Sequence, residues 1–569
     1  MRVSRRDFLS KSAILAASAS ASGCANLVQP ISQICANDPA ISDPSSPLTI
    51  DVHAHVFNGT DLQAKAFLSR IMHIPGVGSI LQELALEDAP TAMRELEVLA
   101  NISGGEGNCD QSSFITRKNQ HREEQYQRGR AALQAAASKV DRRGFLTDAA
   151  TSATIRKIGA LEETHAAYRK RKFQRNARQR LAPAELSVDG AIDFILRNFQ
   201  YRYVNVFDYL EEYSRGRARK VDLIIAHLVD FDWPIGDGCE TISPIPDQIQ
   251  VMSKISALTN GRVHCYAPFD PLKQVAYELG GFRYSPLDIV SRAIQENGFI
   301  GVKLYPPMGF RPYGNADLAS NFWDRDWIPP LLRRADTGKR LDQALSALYE
   351  WCRRPGNDAP IMAHTAPSNG PDKAFLRLTD PSCWESTVAA FPGLRVNFGH
   401  FGDTQEVESD NPRRPLRFAH MMNQSETGRL LYADSAFFVD ILGNQAQLTE
   451  KLRALYRETA SDKGGAALAQ RLMYGTDWEM ITIEGRATNS YLQNFESVFR
   501  VLDRDASLGS QGKLSDRFFG ANAANYLDLR LGGSTRARLD AFYAAAGVSS
   551  PVWRAKVDKL EARPIARIG

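Results

Sequence analysis

From residue 221 onward the chain alternates short apolar runs with amphipathic segments, and this alternation constrains the fold more than any other feature. Val221 to Leu228, Arg262 to Phe269, Phe299 to Tyr305, Pro360 to His364, Leu394 to Phe398, Arg429 to Asp434 and Arg471 to Thr476 each read as a strand. Pro246 to Leu258, Pro286 to Glu296, Arg340 to Cys352, Trp384 to Phe391 and Gln445 to Glu458 read as helices between them. That order is the signature of a parallel α/β fold. Leu48 to Phe57 supplies one more strand at the start. Eight strands with intervening helices imply a (β/α)8 TIM barrel, in which residues 58–220 form a large, mostly helical insertion after strand 1, on the side where such barrels bind substrate.

The first strand carries His53 and His55 in Asp51-Val52-His53-Ala54-His55. Side chains two residues apart on a strand point to one face, so both imidazoles can reach one ion from a rigid element. Barrel enzymes place their chemistry at the C-terminal ends of strands. Of the ten histidines in the chain, His53, His55, His364 and His400 lie at or near such ends. Asp477 follows the last strand, and Lys303 lies inside the apolar run Phe299 to Tyr305. Imidazoles with a carboxylate suit Zn²⁺ and similar divalent ions that keep an open position for water. Water bound there reaches a pKa of about 7 and becomes a hydroxide nucleophile, and a nearby carboxylate can relay its proton.

This constellation resembles the amidohydrolase superfamily, in particular the branch of aminocarboxymuconate-semialdehyde decarboxylase and related metal-dependent hydrolases. The matching residues are Asp51-Val52-His53-Ala54-His55, His364 in Ile361-Met362-Ala363-His364, His400 in Asn397-Phe398-Gly399-His400, and Asp477 in Tyr474-Gly475-Thr476-Asp477. Phe519-Gly520-Ala521-Asn522-Ala523 followed by Tyr526-Leu527 is similar to the closing helix of that branch. The resemblance covers residues 48–57 and 220–528. It implies one divalent metal, zinc above all, held by His53, His55, His364 and Asp477. Asp477 would double as base, and His400 would contact the water or polarise the substrate carbonyl. Lys303, Tyr305 and Arg311 are candidates for the substrate pocket. In some superfamily members a strand-four lysine is carboxylated between two metals, which is the alternative role for Lys303. His227 and His264 sit inside strands and read as structural, and His73, His121, His165 and His420 read as surface or helix positions.

The function expected is hydrolysis of an amide, ester or lactone by an exported enzyme. The same ligands serve a decarboxylase or hydratase, and the long insertion leaves room for a non-catalytic envelope binding protein. A small-molecule substrate is the expected partner.

The N-terminus bears on location. Ser4-Arg5-Arg6-Asp7-Phe8-Leu9 has the twin-arginine pattern, and the apolar run after it, Ser12 to Ser22, is too short to span a bilayer. Export through the twin-arginine machinery delivers a folded, metal-loaded protein to the periplasm. Ala21-Ser22-Gly23-Cys24 resembles a lipoprotein box, with Ala21 where Leu is preferred; lipid on Cys24 would be the only membrane anchor. Without it, cleavage after a nearby small residue releases a soluble protein. Residues 25–47 read as a tether and 531–569 as a C-terminal extension. Six further cysteines include no Cys-x-x-Cys pair. Arg117 to Arg180 holds 17 Lys or Arg against 6 Asp or Glu, leaving the remainder acidic within a chain of net charge +4. No nucleic-acid-reading motif accompanies that charge, so it reads as a solvated helical face. A homodimer is compatible with the sequence.

Overall fold

The computed structural model describes residues 43–62, 66–71, 88–104, 111–142, 188–236, 240–403, 414–424, 428, 430–460, 468–485, 488–508, 514–549 and 551–560. The twin-arginine segment, Cys24 and residues 143–180 of the basic stretch lie outside the described residues.

The apolar runs form one parallel sheet in sequence order: β1 (Ile50–Ala54), β2 (Leu223–His227), β3 (Val263–Pro268), β4 (Gly301–Leu304), β5 (Ile361–His364), β6 (Val396–Gly399), β7 (Leu431–Asp434) and β8 (Leu472–Met473). Although β8 is short, the chain beyond it continues alongside β1. Val52 N–H donates to Tyr474 O at 3.0 Å, and the N–H groups of Thr476 and Asp477 donate to His53 O at 3.2 and 2.8 Å. These bonds bring the two ends of the sheet together as a TIM barrel. Gly475 permits the approach, because a Cβ there would stand 2.9 Å from His53 Cβ.

The expected helices at Ile245–Leu258, Pro286–Glu296, Thr337–Arg353, Pro381–Ala390 and Gln445–Ala460 are present. Pro271–Glu278, Arg414–Asn423 and Tyr491–Asp503 are further helices in stretches that the sequence pattern leaves unassigned. The first starts where Asp270 accepts from Leu272 N–H at 2.8 Å, an N-cap followed by proline at the first helical position.

β1 shifts register against β2 between Asp51 and Ala54. Ile50 and Val52 pack with Leu223, Ile225, Tyr266 and Met362, whereas Ala54 joins the cluster that includes Ile224 and Ala226. Asp51 meets the insertion, while His53 and His55 lie against His227. A bulge of this kind re-aims side chains at a site without breaking the sheet.

At the opposite end the C-terminal extension packs onto the barrel. Leu539, Tyr543, Trp553 and Val557 share the cluster of Ile50 and Leu223, and Trp553 Nε1–H donates to Gly261 O at 2.9 Å. Each such buried side chain contributes on the order of 1.5–3 kcal/mol. Lys556 Nζ pairs with Asp222 Oδ1 at 2.6 Å at the same end.

The insertion is helical where it is described: α1 (Ala92–Gly104), α2 (Gln111–Arg142), α3 (Val188–Asn198) and α4 (Arg202–Ser214). The Arg202 guanidinium, fully buried, bridges Asp61 after β1 and Glu95 on α1. Helix α3 lies so close to the turn Met480–Glu484 that a Cβ on Gly190 would stand 2.1 Å from Ile483 O. No described helix is long and apolar enough to cross a membrane.

Candidate metal centre

His53 and His55 leave β1 with one ring nitrogen each already committed. His53 Nδ1 lies 3.0 Å from Asp434 Oδ2 and His55 Nδ1 lies 3.0 Å from His227 O. Asp434, at the end of β7, also accepts from Asn397 Nδ2 at 2.7 Å, His400 N at 2.9 Å and Ala436 N at 3.0 Å. Burial raises Asp434, but donors are aimed at both of its oxygens, so it accepts, and a carbonyl only accepts; both Nδ1 atoms therefore carry the proton. Both Nε2 atoms are therefore lone pairs. They converge on Asp477 Oδ1, which is 3.3 Å from His53 Nε2 and 3.2 Å from His55 Nε2.

Three acceptors thus face one another in the interior without a donor between them. Among the described residues, His53 Nε2 and Asp477 Oδ1 are both buried and have no hydrogen-bond partner. Such a meeting of acceptors is costly unless a cation lies among them. The donor set, two neutral imidazoles and a carboxylate, is also one that divalent ions select, so these residues fit a metal ion on their own chemistry.

The surrounding charges keep that set in its ligating form. Burial pushes His53 well below the ordinary imidazole value, aided by the Lys303 charge, and it also lowers His55, against the opposing pull of Asp477. Burial raises Asp477, but the neighbouring His55 and His400 rings and the Lys303 amine bring it below the usual carboxylate value. Its backbone is left-handed, with φ at 57°, a conformation that non-glycine residues adopt at a cost.

The strand-five and strand-six histidines form a second layer. His400 Nδ1 faces Ala436 O at 3.1 Å, and its Nε2 faces His364 Nδ1 at 3.1 Å. With His400 Nδ1 donating, Nε2 accepts from His364, and His364 Nε2 is left buried without a partner. Donor atoms of His53, His400 and Asp477 lie within 4.8 Å of one another, as do those of His53, His55 and His227. His364 is not in either close set. Its ring stacks on Tyr305, with centroids 4.4 Å apart.

Lys303 and Tyr305 adjoin this cluster. Lys303 Nζ is 3.4 Å from His227 Nδ1 and 2.9 Å from Met362 Sδ, and no described carboxylate lies within ion-pair distance of it. Burial lowers it to about 7, against the pull of Asp477 and Asp434. Both residues line a cleft with Asp230, Phe269, Asp270 and Phe310. Arg311 serves its own loop instead: its guanidinium donates to Gly314 O at 3.2 Å.

Two residues at this site were not anticipated. His227, expected to be structural, ends β2 and stacks on His53 with centroids 4.4 Å apart, its Nε2 on Val52 O at 2.9 Å. Asp434 went unremarked, although it ends an apolar strand just as Asp477 follows one. The other interior histidine, His264, is structural as expected, held between Gly298 O and Tyr543 OH.

Residues 281–487 match the amidohydrolase family. No curated protein matches the chain. Among solved structures, it is similar to an amidohydrolase from Burkholderia multivorans with bound zinc, at 12% identity over 54% of this chain and 83% of that one, with a TM-score of 0.31. A 5-carboxyvanillate decarboxylase from Sphingomonas paucimobilis shares 14% identity over 54% of this chain and 79% of that one, with a TM-score of 0.29. A second 5-carboxyvanillate decarboxylase, from Novosphingobium aromaticivorans with bound manganese, shares 12% over 69% and 93%, with a TM-score of 0.33.

Proposed function

We propose that this chain is a metal-dependent enzyme of the amidohydrolase kind that hydrolyses an amide, ester or lactone bond. The observation that carries the reading is the convergence of two imidazole lone pairs and the Asp477 carboxylate on one point, with nothing to donate between them. His53, His55 and Asp477 would hold one divalent ion, zinc suiting the donors, and His364 would complete the set through its unpartnered Nε2. Such an ion, when bound, supplies Lewis acidity to a carbonyl and acidity to water.

The chain's own residues do the rest. Asp477 turns Oδ1 to the histidines and keeps Oδ2 for a proton, taken from the attacking water and returned to the leaving group. His400 is fixed through Nδ1 on Ala436 O and accepts from His364 Nδ1 at Nε2, which orients the His364 ring and leaves its Nε2 lone pair for the ion. Tyr305 walls the cleft against water, and Phe231 packs edge to face on it at 5.0 Å.

Lys303 favours a second reading. A buried ammonium with no carboxylate partner among the described residues calls for an anion, and a substrate carboxylate held there would suit decarboxylation or hydration by the same ligands. Metal analysis of the purified protein, with turnover of ester, lactone and carboxylated aromatic substrates before and after chelation, tests both. A metal-free protein that turns over none of them would leave a binding protein as the remaining reading.

We further propose that the chain reaches the periplasm by the twin-arginine route and is anchored by lipid on Cys24. Replacing Arg5 and Arg6 by Lys should leave it in the cytoplasmic fraction, and Cys24→Ala should shift it from membrane to soluble periplasmic fractions.

A further inference from the structure

Helix α4 of the insertion reaches the back of the metal centre through one hydroxyl. Tyr209 OH donates to Asp51 Oδ2 at 2.6 Å, in a fully buried contact between residues 158 apart in sequence. Thr476 Oγ1 donates to the same oxygen at 2.6 Å. The other oxygen, Oδ1, accepts from His53 N at 3.0 Å and from Thr476 N at 3.1 Å. Asp51 therefore grips the backbone of the first histidine and the residue just before Asp477 in one carboxylate.

The grip extends to the far side of Asp477. Trp478 N donates to Thr476 Oγ1 at 3.0 Å, and the Tyr209 ring stands edge to face on the Trp478 ring at 5.3 Å. Asp477 is thus flanked by two residues whose positions depend on the same tyrosine. Its own backbone is in the left-handed region, so its neighbours must hold it there.

We propose that Tyr209 is a positioning residue of the metal centre, by which the insertion sets the spacing between the strand-one histidines and Asp477. The proposal rests on the metal-site reading above. It also assigns a role to residues 188–214 that a detachable partner-binding module would not have. Tyr209 lies one step further out than a group bonded directly to a ligating side chain, whose loss weakens the ion's binding about 10- to 100-fold, so the lower end of that range applies.

The test is titration of the metal-free full chain with Co²⁺, followed by visible absorption, for the unaltered protein, Tyr209→Phe and Tyr213→Phe. Thermal unfolding of each metal-free form is measured alongside. Tyr213 is the matched control: it is buried on the same helix, stacks on Tyr209 at 4.7 Å and donates to Thr488 O at 2.9 Å, away from Asp51. The expected result is a Co²⁺ affinity at least tenfold weaker for Tyr209→Phe, with altered band positions, and a change under twofold for Tyr213→Phe. Equal weakening in both variants would show generic support by the helix and overturn the assignment. An unchanged affinity and spectrum in Tyr209→Phe would overturn it too. Failure of the unaltered protein to bind Co²⁺ would instead remove the metal-site reading, and the proposal with it.

Discussion

His53 Nδ1 and Asp434 Oδ2 lie 3.0 Å apart, both fully buried, and that contact decides which nitrogen of His53 faces Asp477. The carboxylate holds the proton on Nδ1, so Nε2 presents a lone pair to the site. Asp434→Asn keeps the shape but removes the charge that fixes the tautomer. Zinc affinity measured by chelator competition is expected to fall roughly 10- to 100-fold, the range for lost outer partners of a ligating histidine. An unchanged dissociation constant would mean that β7 does not orient His53.

Asp477→Asn should separate stability from function. In the metal-free protein the substitution replaces an acceptor that faces two other acceptors with an amide that donates to one of them. The metal-free variant is expected to be more stable, by about 1 kcal/mol, the typical net worth of one hydrogen bond. Its stabilisation by added zinc should vanish, and turnover should drop roughly 10²- to 10⁴-fold with the loss of the proton acceptor. Thermal unfolding with and without chelator checks the first two. A metal-free Asp477→Asn less stable than the parent would contradict the clash of lone pairs.

The barrel was legible because its strands are short apolar runs whose ends carry the chemistry, and His53, His55, His400 and Asp477 come together as that rule requires. The misplacement of His227 turns on one residue. The apolar run extends through Leu228, which puts His227 inside the strand, whereas the sheet pairing ends at His227 itself and the ring enters the site. Asp434 carried the same signal as Asp477, an acid closing an apolar strand, but nothing local says that it will face a histidine 381 residues away. Arg311 lies one turn past β4, where loop geometry alone sends its side chain to Gly314. The tie between Tyr209 and Asp51 is beyond reach because the apolar residues from Ala191 to Tyr209, at helical spacing, read as ordinary core, and only the packed fold puts the Tyr209 hydroxyl against the bulge in β1.

Gly190 tests whether the insertion is welded to the segment that follows Asp477. Glycine to alanine within a helix ordinarily stabilises, by about 0.4–1 kcal/mol. Here the added Cβ would meet Ile483 O at 2.1 Å and Gly485 N at 2.5 Å, both backbone atoms that cannot swing aside. Gly190→Ala is therefore expected to destabilise, by roughly 1–3 kcal/mol as overpacking does. Denaturant unfolding gives the sign, and a stabilised variant would show that α3 does not seat on the Met480–Glu484 turn.

Lys303 gives the metal-free protein a specific dependence on pH. Burial lowers its value to about 7 in the folded chain, while in the unfolded chain it returns to about 10.4. Below the folded value both states carry the proton, and the full cost of burying the ammonium is present. Between the two values the unfolded chain binds more protons, so stability rises with pH, by about 1.4 kcal/mol per unit from this group. Above the unfolded value neither state is charged and the cost is gone. Lys303→Met removes the titration while filling much of the same space. The difference in unfolding free energy between the variant and the parent, measured from pH 7 to 10 in chelator, is expected to favour Lys303→Met most at pH 7. It should shrink by roughly 3–4 kcal/mol across that window, the size that the linkage gives. A difference that stays flat would place Lys303 outside the buried cluster and remove the argument that its charge awaits a substrate anion.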